Sequence, residues 1–567
     1  MLRISQARPW PLPAVLHETA NGTTNEKTNE NHHMLVSDIP RSHATRTPDK
    51  TAVVWGDRRI TYAELQSRTW RLANALQGLG VRAGDRVGLL CSNRLEHAET
   101  VFAIMSLGAV WVPLNDRLTA DELGFVVDDA ECTTMMYSDN LAGVAEEMHD
   151  ALGGVERWIA IGTRSGTGSG TGSGTGSGTG SGVGLGYDDI LAKGAAKPPA
   201  ASVSPDDMCA IMYTSGTTGR PKGAMHTHRR MMQGIMLLAF DSGACGDEVS
   251  LQVMPQFHAG GHELGMTQFL VGSTTVVQSR FDPDHFHQLV ADERVNFTAL
   301  VPSMMIFLLE SPAAEKTDVS PLKRLSYGAS PIPEDRLARA MEVYDADFQQ
   351  TYGQTESGVM VTLLSAEAHR KGLTAGHDHL LKSCGQPLMG CQTKLANDDG
   401  NEVAVGEIGE ICARKESVMS GYWKRPEATE KTLRDGWLHT GDMGRRDAEG
   451  YHYVVDRKVD KVISGGENIY PAEVENVISG HPGVLEVAVI GVPDGGWVEA
   501  VKAVVAPRPG ASLTEAEVIG FCRGKLGGFK IPKSVDFIEA LPRTPSGKVR
   551  KAELRAPYWE GHERKIG

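Results

Sequence analysis

Several features are missing from this sequence of 567 residues, and each absence excludes a class of protein. No apolar run approaches the roughly 20 residues that a membrane-spanning helix needs. The eight cysteines are scattered without a C-x-x-C pair, which argues against a disulfide framework or a zinc site and favours reduced thiols. The net charge of −14 argues against a broad nucleic-acid surface. We therefore expect a cytoplasmic protein with no transmembrane segment and no nucleic-acid partner.

Two stretches are expected to lie outside any packed core. Residues 1–36 are mostly polar and lack an apolar signal core, which predicts a disordered extension, and residues 1–33 could also be a misplaced start. Residues 165–182 are a pure repeat of Ser or Thr with Gly. Such a repeat behaves as a flexible coil, and we interpret it as an expanded surface loop in preference to a domain linker.

The rest of the chain alternates strand-like and helix-like segments. Residues 87–91 and 297–301 have the pattern of buried strands, and Thr61 with Glu64 forms a capping box before a helical repeat of leucines. Repeated units of this kind predict an α/β fold with mostly parallel, βα-layered sheets. We predict a large N-terminal domain over residues 37–455 and a small α/β domain over residues 456–567.

Residues 213–222 read Tyr-Thr-Ser-Gly-Thr-Thr-Gly-Arg-Pro-Lys, between an apolar strand at 208–212 and a helix-like segment at 229–240. Glycine N–H groups and small hydroxyl side chains allow such a loop to surround a polyanion closely. The common P-loop pattern fails, because Arg and Pro follow Gly219. A solvated turn is the alternative, but Lys222 adds a positive charge that favours phosphate binding.

This loop resembles the signature loop of the adenylate-forming superfamily, which includes acyl-CoA synthetases, luciferases and peptide-synthetase adenylation domains. Further segments that resemble the family follow in the same order and with similar spacing, from about residue 40 to the C-terminus. They are residues 352–356 (Tyr-Gly-Gln-Thr-Glu), 436–442, 456–457, 465–471 and 545–548. On this order and spacing the sequence is identified as a member of that superfamily.

The resemblance implies an ATP-dependent acyl-CoA synthetase that uses ATP, Mg²⁺ and coenzyme A. The acid's carboxylate attacks the α-phosphorus of ATP, pyrophosphate leaves, and the acyl group of the acyl-AMP then passes to the CoA thiol. An anion attacks a polyanion in the first step, so catalysis depends on positioning and positive charge. In the family the small domain is mobile and rotates between the two steps. At the pivot this sequence has Val459 where relatives commonly have Asp or Lys, which puts the electrostatic control of rotation in doubt.

The resemblance also assigns roles to nucleotide-binding residues. Glu356 would hold Mg²⁺, Tyr352 would stack on adenine, Asp442 with Arg457 beside it would bind the ribose hydroxyls, and Lys548 would bridge the carboxylate and the α-phosphate. The implied catalytic residues are Lys548, Thr217, Glu356 and His258. The implied ATP- or AMP-binding residues are Thr214, Ser215, Gly216, Thr217, Thr218, Gly219, Lys222, Gly328, Ala329, Ser330, Tyr352, Gly353, Gln354, Thr355, Asp442, Arg457 and Lys548.

A second set of residues is implied for the acid and CoA. His258 lies in a segment that resembles the wall of the family's acyl pocket, and Gly465 and Gly466 would line a pantetheine tunnel. Trp497 and Phe529 resemble aromatic positions that contact CoA, with ordinary surface or core aromatics as the alternative. The acyl- and CoA-binding residues are His258, Gly260, Gly261, Ser303, Met304, Gly465, Gly466, Trp497 and Phe529, and further pocket candidates are Pro302, Ala329, Ser330 and Met360.

His258 and His262 also have the spacing of a metal-binding pair on a helix. Gly260 and Gly261 between them disfavour a regular helix, and the glutamate of the H-E-x-x-H motif is absent. We therefore do not predict a zinc site, and we interpret His226 and His228, which follow the glycine loop, as structural.

The identity of the acid stays open at this stage. Small residues and methionines in the pocket suit an apolar acyl group. We favour a medium- or long-chain fatty acid over an aromatic acid, because no polar partner for a ring hydroxyl is evident. Alternatives are an enzyme that loads a carrier protein, a luciferase-type oxidation, and a non-enzymatic regulator that binds nucleotide or acyl-adenylate. Intact Glu356, Asp442 and Lys548 argue against the last, and a homodimer is compatible with the sequence.

Overall fold

The structure is a computed structural model of the chain. By internal contacts the chain divides into Met1–His33 and Met34–Gly567, and the second unit contains all described residues. Val36 is fully buried and begins a short 3-10 helix, Val36–Asp38, so the predicted disorder up to residue 36 is wrong at its end. The repeat at 165–182 lies outside the described residues. The structure describes residues 34–162, 183–214, 221–330, 332–457, 460–464, 467–494, 498–543 and 549–560.

The first stretch alternates strands and helices as predicted. The capping box is present at the start of its second helix, where the Thr61 hydroxyl accepts from the Glu64 N–H and the Thr61 N–H donates to the Glu64 carboxylate at 2.7 Å. The strands are β1 (Thr51–Trp55), β2 (Arg58–Thr61), β3 (Arg86–Leu90), β4 (Val110–Leu114), β5 (Cys132–Ser138), β6 (Arg157–Ile161) and β7 (Leu185–Gly186). The helices are α1 (Ile39–Arg46), α2 (Tyr62–Gly78), α3 (Leu95–Ser106), α4 (Ala120–Ala130), α5 (Ala142–Ala151) and α6 (Tyr187–Lys193).

The second stretch corrects two expectations about local structure. A strand, β9, lies between the glycine loop and the next helix, so the loop closes an antiparallel hairpin instead of leading directly into a helix. Gly260 and Gly261 lie in the first turn of a regular helix, α8. The strands are β8 (Met208–Thr214), β9 (Lys222–Thr227), β10 (Val249–Gln252), β11 (Thr274–Val277), β12 (Phe297–Leu300), β13 (Arg324–Gly328), β14 (Asp347–Gln354) and β15 (Val359–Leu364). The helices are α7 (His228–Ser242), α8 (Ala259–Val271), α9 (Pro283–Asp292), α10 (Pro302–Glu310), α11 (Glu334–Tyr344) and α12 (Ala366–Gly372).

The third stretch is mainly β-structure, and the last is a small α/β region. The third contains β16 (Gln386–Pro387), β17 (Gln392–Ala396), β18 (Gly409–Arg414), β19 (Gly421–Tyr422), α13 (Pro426–Thr432), β20 (Leu433–Arg434), β21 (Trp437–Arg446) and β22 (His452–Arg457). The last contains β23 (Val462–Ser464), β24 (Glu467–Ile469), α14 (Pro471–Ser479), β25 (Val484–Asp494), β26 (Val498–Pro507), α15 (Glu515–Cys522), β27 (Ser534–Phe537) and α16 (Lys551–Arg555).

The described strands form four sheets. The nine-stranded sheet has the order β16-β15-β14-β13-β12-β10-β11-β1-β2, and the eight-stranded sheet has the order β19-β9-β8-β4-β3-β5-β6-β7. The strand pairs in the middle of each sheet are parallel, while β14–β15 and β8–β9 nearer one edge are antiparallel, and this mostly parallel arrangement confirms the predicted α/β class. The third sheet, β17-β18-β21-β20 with β22 beside β21, is wholly antiparallel and was not predicted. The fourth, β24-β23-β26-β25 with β27 beside β26, lies in the small C-terminal domain.

The small C-terminal domain has a hydrophobic core of its own. Val462, Val474, Val489 and Val505 belong to one buried cluster within it. The boundary at residues 455 and 456 stays a prediction. All eight cysteines are free, and only Cys245 among them is exposed. No helix in the described part of the chain is both long and apolar enough to cross a membrane.

Candidate active site

The glycine loop joins the ends of β8 and β9. Thr214 and Lys222 are paired residues across this hairpin, so both lie at the base of the loop. The Thr214 hydroxyl donates to the Glu356 carboxylate at 3.2 Å, and the Lys222 ammonium lies 5.1 Å from the centre of the Tyr422 ring. Ser215, Gly216, Thr217, Thr218 and Gly219 lie outside the described residues, so their phosphate contacts stay predictions.

Glu356 lies in a 3-10 turn at the end of β14 and is held on two sides. Its carboxylate also accepts from the Tyr422 hydroxyl at 2.9 Å, and its backbone carbonyl accepts from the Met419 N–H at 2.9 Å. Gly358 has φ +57°, and a Cβ there would lie 1.9 Å from the Ser417 carbonyl oxygen, so only glycine fits. Burial, and secondly the Glu356 carboxylate, raises the pKa of Tyr422. Tyr422 therefore stays a neutral hydrogen-bond donor to Glu356.

A second polar group links Tyr352, Asp442 and Arg457. The Tyr352 hydroxyl donates to one Asp442 oxygen at 2.7 Å, and Arg457 Nε donates to the other at 2.7 Å. Asp442 is buried, and it is paired with Arg457 across β21 and β22. The Asp442 charge is the main cause of the raised pKa of Arg457, while burial, and secondly Asp442, raises the pKa of Tyr352. The carboxylate is thus held in a fixed orientation between a cation and a phenol.

The residues predicted to lie along the adenine are at the end of β13, directly after it, and at the end of β14. A Cβ on Gly328 would lie 2.3 Å from the Thr351 carbonyl oxygen, which explains why glycine occupies the end of β13. Ala329 has φ +71°, a conformation that non-glycine residues rarely adopt and that is enriched at functional sites. Ala329 and Ser330 are exposed. Gly353 and Gln354 end β14, and Thr355 opens the turn that contains Glu356.

The predicted acyl-pocket residues cluster at the start of α8. His258 is the N-cap residue, and its Nδ1 accepts from the Gly260 N–H at 3.3 Å. A Cβ on Gly261 would lie 2.1 Å from the Pro255 carbonyl oxygen, so this glycine allows the first turn to pack on the preceding segment. His262 is fully buried against Trp111, with 4.3 Å between ring centres.

Several other predicted residues have no described contact with the nucleotide residues. Among the described residues, no hydrogen bond or ion pair joins Ser303 or Phe529 to the nucleotide residues, and both side chains are exposed. Met304 is buried in the core below α10. His226 and His228 are buried, and burial lowers the pKa of each to about 4. Gly465, Gly466, Trp497 and Lys548, and the pivot residue Val459, lie outside the described residues.

Sequence reasoning missed two largely buried ionisable residues next to this site. Lys415 Nζ donates to the Gly358 carbonyl at 3.1 Å and also to the Met360 carbonyl, so it holds the loop that follows Glu356. Glu263, on α8, is 2% exposed, and within the described chain its Oε2 has no hydrogen-bond partner. Burial raises the pKa of Glu263 to about 8 and lowers the pKa of Lys415 to about 8. The available signal was a carboxylate on a helix whose other residues are mostly apolar.

Comparison with known proteins gives consistent results over most of the chain. The sequence model of the AMP-binding enzyme matches residues 40–423, and that of the AMP-binding enzyme C-terminal domain matches residues 473–548. A feruloyl-CoA synthase from an Amycolatopsis species is 40% identical over 92% of this chain and 98% of its own length. A fatty acid–[acyl-carrier-protein] ligase from Streptomyces coeruleorubidus is 34% identical over 92% of this chain and 96% of its own length.

A solved structure shows the same fold. The anthranilate CoA ligase AuaEII, crystallised with anthranoyl-AMP, has a TM-score of 0.81 and 26% identity over 93% of this chain and 98% of its own. The first family match covers more than half of the sequence, and the curated relatives match nearly their whole length. The chain therefore belongs to the AMP-binding enzyme family, as an adenylate-forming ligase of the acyl-CoA ligase group.

Proposed function

We propose that this protein is an ATP-dependent ligase that joins a carboxylic acid to coenzyme A through an acyl-adenylate. The supporting observation is that two polar groups, each already held by hydrogen bonds, lie at the two ends of residues 352–356. Glu356 contacts Thr214 at the base of the glycine hairpin, and Tyr352, four residues earlier, contacts Asp442. The first group suits the phosphates of a nucleotide and the second suits its nucleoside.

Asp442 is the proposed acceptor for the ribose hydroxyls. A carboxylate with two oriented oxygens can accept from both hydroxyls of a cis-diol. In the free protein these oxygens accept from Tyr352 and Arg457. Arg457 holds the carboxylate in place, and the half-buried Tyr352 ring offers a face for adenine.

Glu356 is the proposed protein ligand for Mg²⁺. Mg²⁺ usually takes one or two carboxylates together with phosphates and water, so one glutamate beside a phosphate loop fits this ion. No cluster of three or more His, Cys, Asp or Glu side chains suitable for a metal occurs in the described part of the chain. When bound, the ion would neutralise phosphate charge and orient the polyphosphate. Tyr422 and Thr214 hold the Glu356 carboxylate at the hairpin.

In the first step an oxygen of the acid's carboxylate forms a bond to the α-phosphorus, and the bond to pyrophosphate breaks. Lys222, and Lys548 by resemblance, would supply positive charge. His258 and the N-terminus of α8 would receive the acid's carboxylate, because the first turn of a helix favours anions. In the second step the thiol sulfur attacks the acyl carbon and AMP leaves.

The proposal goes beyond the family assignment in two respects, the class of acid and the acceptor of the acyl group. The fatty-acid preference and the aromatic alternative both have named relatives, because the compared enzymes include a feruloyl-CoA synthase and a fatty-acid ligase. The second of these transfers to a carrier protein, which keeps carrier loading as the second candidate for the acceptor. The cytoplasmic location and a homodimer stay predictions.

The test is pyrophosphate release from Mg·ATP over a panel of fatty and aromatic acids, with and without CoA. We expect sustained turnover only when CoA is present, and formation of the matching acyl-CoA. A single burst of pyrophosphate that CoA does not sustain would indicate a carrier protein or another acceptor. No release with any acid would contradict the proposed function.

A further inference from the structure

Asp129, near the C-terminal end of α4, binds two segments that are distant from it in the sequence. One carboxylate oxygen accepts from the Tyr213 hydroxyl at 2.7 Å, and the other accepts from the Arg425 guanidinium at 2.6 Å. The Asp129 side chain is 11% exposed. A carboxylate with a donor on each oxygen is held in one orientation, and hydrogen bonds to a charged group are the stronger ones. Asp129 therefore ties α4 both to β8 and to the segment that follows β19.

The first of these contacts reaches the base of the glycine hairpin. Tyr213 directly precedes Thr214 in β8 and is paired with Gly223 of β9. A Cβ on Gly223 would lie 3.0 Å from two atoms of the Tyr213 ring, so glycine allows the ring to lie across β9. Burial, and secondly the bond to Asp129, raises the pKa of Tyr213, so its hydroxyl stays a donor. The residue next to Thr214 is thus held on both its ring and its hydroxyl.

The second contact holds the segment that contains Tyr422. The Asp129 backbone carbonyl accepts from Trp423 Nε1 and from Lys424 Nζ, both at 2.9 Å. The Lys424 ammonium lies at the C-terminal end of α4, where the helix dipole favours a positive charge. The Trp423 N–H donates to the Gly223 carbonyl at 2.8 Å, which ties the same segment to β9. The residue just before it, Tyr422, is therefore fixed relative to the hairpin.

The two contacts of Asp129 converge on the proposed phosphate site. The Tyr422 hydroxyl donates to the Glu356 carboxylate at 2.9 Å, and the Tyr422 ring centre lies 5.1 Å from the Lys222 ammonium. The Thr214 hydroxyl donates to the same carboxylate at 3.2 Å. One aspartate thus braces, through the neighbours of Thr214 and Tyr422, the residues proposed to hold the phosphates and their metal ion.

We propose that Asp129 is a positioning residue for the polyphosphate of Mg·ATP, which sets Thr214 and Lys222 against the β- and γ-phosphates. The inference rests on the proposed function. A hairpin base that is already ordered does not have to be ordered when the nucleotide binds, and this saving favours affinity. AMP lacks the β- and γ-phosphates, so Asp129 should matter for the binding of Mg·ATP and not for that of AMP.

The experiment measures the dissociation constants of Mg·ATP and AMP for the full chain by calorimetry, without any acid. Asp129→Asn leaves one acceptor oxygen for the two donors, Tyr213 and Arg425. It should raise the Kd of Mg·ATP by about tenfold and change that of AMP by less than about twofold. Tyr213→Phe removes one of the two contacts and should raise the Kd of Mg·ATP by about fivefold, again with AMP little changed. The double variant should bind Mg·ATP about as well as Asp129→Asn, because the two changes remove a shared contact.

Asp128→Asn is the matched control, because this exposed neighbour on α4 loses the same charge without the two contacts of Asp129. It should keep both dissociation constants near those of the parent. Equal changes for Mg·ATP and AMP, or no change for either, would overturn the inference and leave the ligase proposal intact. If Asp129→Asn does not fold, Tyr213→Phe decides the matter, since it deletes a single hydroxyl. A parent protein that binds neither nucleotide would overturn the proposed function and this inference with it.

Discussion

Glu263 and Lys415 are two ionisable side chains in a part of the fold where most side chains are apolar. Burying a charge is costly unless it is paired and hydrogen-bonded. Lys415 satisfies this requirement through the Gly358 and Met360 carbonyls, while Glu263 Oε2 has no partner in the described part of the chain. The lysine thus fixes the loop after Glu356. Burial of the Glu263 carboxyl, in contrast, is not compensated by a hydrogen bond to Oε2 in the described part of the chain.

Glu263→Gln should make the enzyme more resistant to rising pH. Burial raises the folded pKa of Glu263 from 4.5 to about 8, so its neutral form stabilises the fold at low pH and that contribution is lost as pH rises toward 8. Glutamine does not titrate. The Tm of the variant minus that of the parent should therefore increase by roughly 2 °C or more between pH 5 and pH 7.5.

Thermal unfolding at a series of pH values checks this expectation. Glu147→Gln, an exposed glutamate on α5, provides the control and should leave the pH dependence unchanged. A Tm difference for Glu263→Gln that is constant with pH would show that this carboxyl does not titrate in the range.

The short strand β19 shows how one element completes the proposed phosphate site. Its two residues pair with β9, so it extends the sheet that carries the glycine hairpin. Through this pairing Tyr422 is brought against Glu356, which lies in the turn directly after β14 of the other large sheet. The strand therefore connects the two sheets at the proposed metal ligand.

Tyr422→Phe should weaken the use of Mg·ATP without loss of the fold. The change removes one donor from Glu356, and such a bond contributes about 1 kcal/mol, or roughly a fivefold effect. We expect the apparent KM for Mg·ATP to rise by about that factor while the KM for the acid changes little. Steady-state pyrophosphate release with varied Mg·ATP measures both.

Tyr453→Phe provides a matched control, since Tyr453 also donates its hydroxyl to a carboxylate, that of Asp447, at 2.8 Å. It should leave both KM values near those of the parent. An equal change in the two variants would show that the effect of Tyr422 is structural and unconnected with Glu356.

Sequence patterns correctly predicted those strands and caps that depend only on residues close together in the chain. The strands around 87–91 and 297–301 and the capping box at Thr61 were correct, because burial periodicity and capping depend on neighbouring residues. Strand β9 was missed, because its pairing with β8 depends on the closure of the hairpin. Helix α8 was missed because Gly260 and Gly261 lower intrinsic helix propensity, and their benefit, close packing on Pro255, is a tertiary effect.

The same limit applies to the proposed site. Glu356, Tyr352 and Asp442 could be named from their motifs, since each motif keeps its members close in sequence. The contacts of Tyr422 and Lys415 could not be predicted, because each joins segments that are distant in the chain. The sheet formed by β17, β18, β20 and β21 escaped prediction for a similar reason.

At the scale of the whole molecule, Asp456 links the antiparallel sheet to the C-terminal region. It precedes Arg457, the last residue of β22, and accepts from the Ala472 N–H, at the start of α14, at 2.8 Å. Burial raises its pKa to about 6. If the small domain rotates about the residues after Arg457, as the family resemblance implies, this contact must break. We therefore expect Asp456 to favour the arrangement described over a rotated one.

Rotation of the small domain would bring different residues of that domain to the cleft for each of the two chemical steps. Lys548 is proposed to bridge the carboxylate and the α-phosphate only during adenylation, because the thiol must later reach the same acyl carbon. Lys548→Ala should therefore lower acyl-adenylate formation by at least about 100-fold, a typical loss for a group that stabilises transition-state charge. Thiol transfer from a supplied acyl-adenylate should stay within a few-fold of the parent rate.

Single-turnover measurements of each half-reaction test this division. Lys533→Ala, an exposed lysine of the small domain, is the control and should retain both rates. Equal loss of the two half-reactions in Lys548→Ala would place the lysine in both steps and argue against rotation as the means of separating them. Selective loss of adenylation would mean that one cleft serves two reactions in turn, since both steps act on the same carboxyl group, first at its oxygen and then at its carbon.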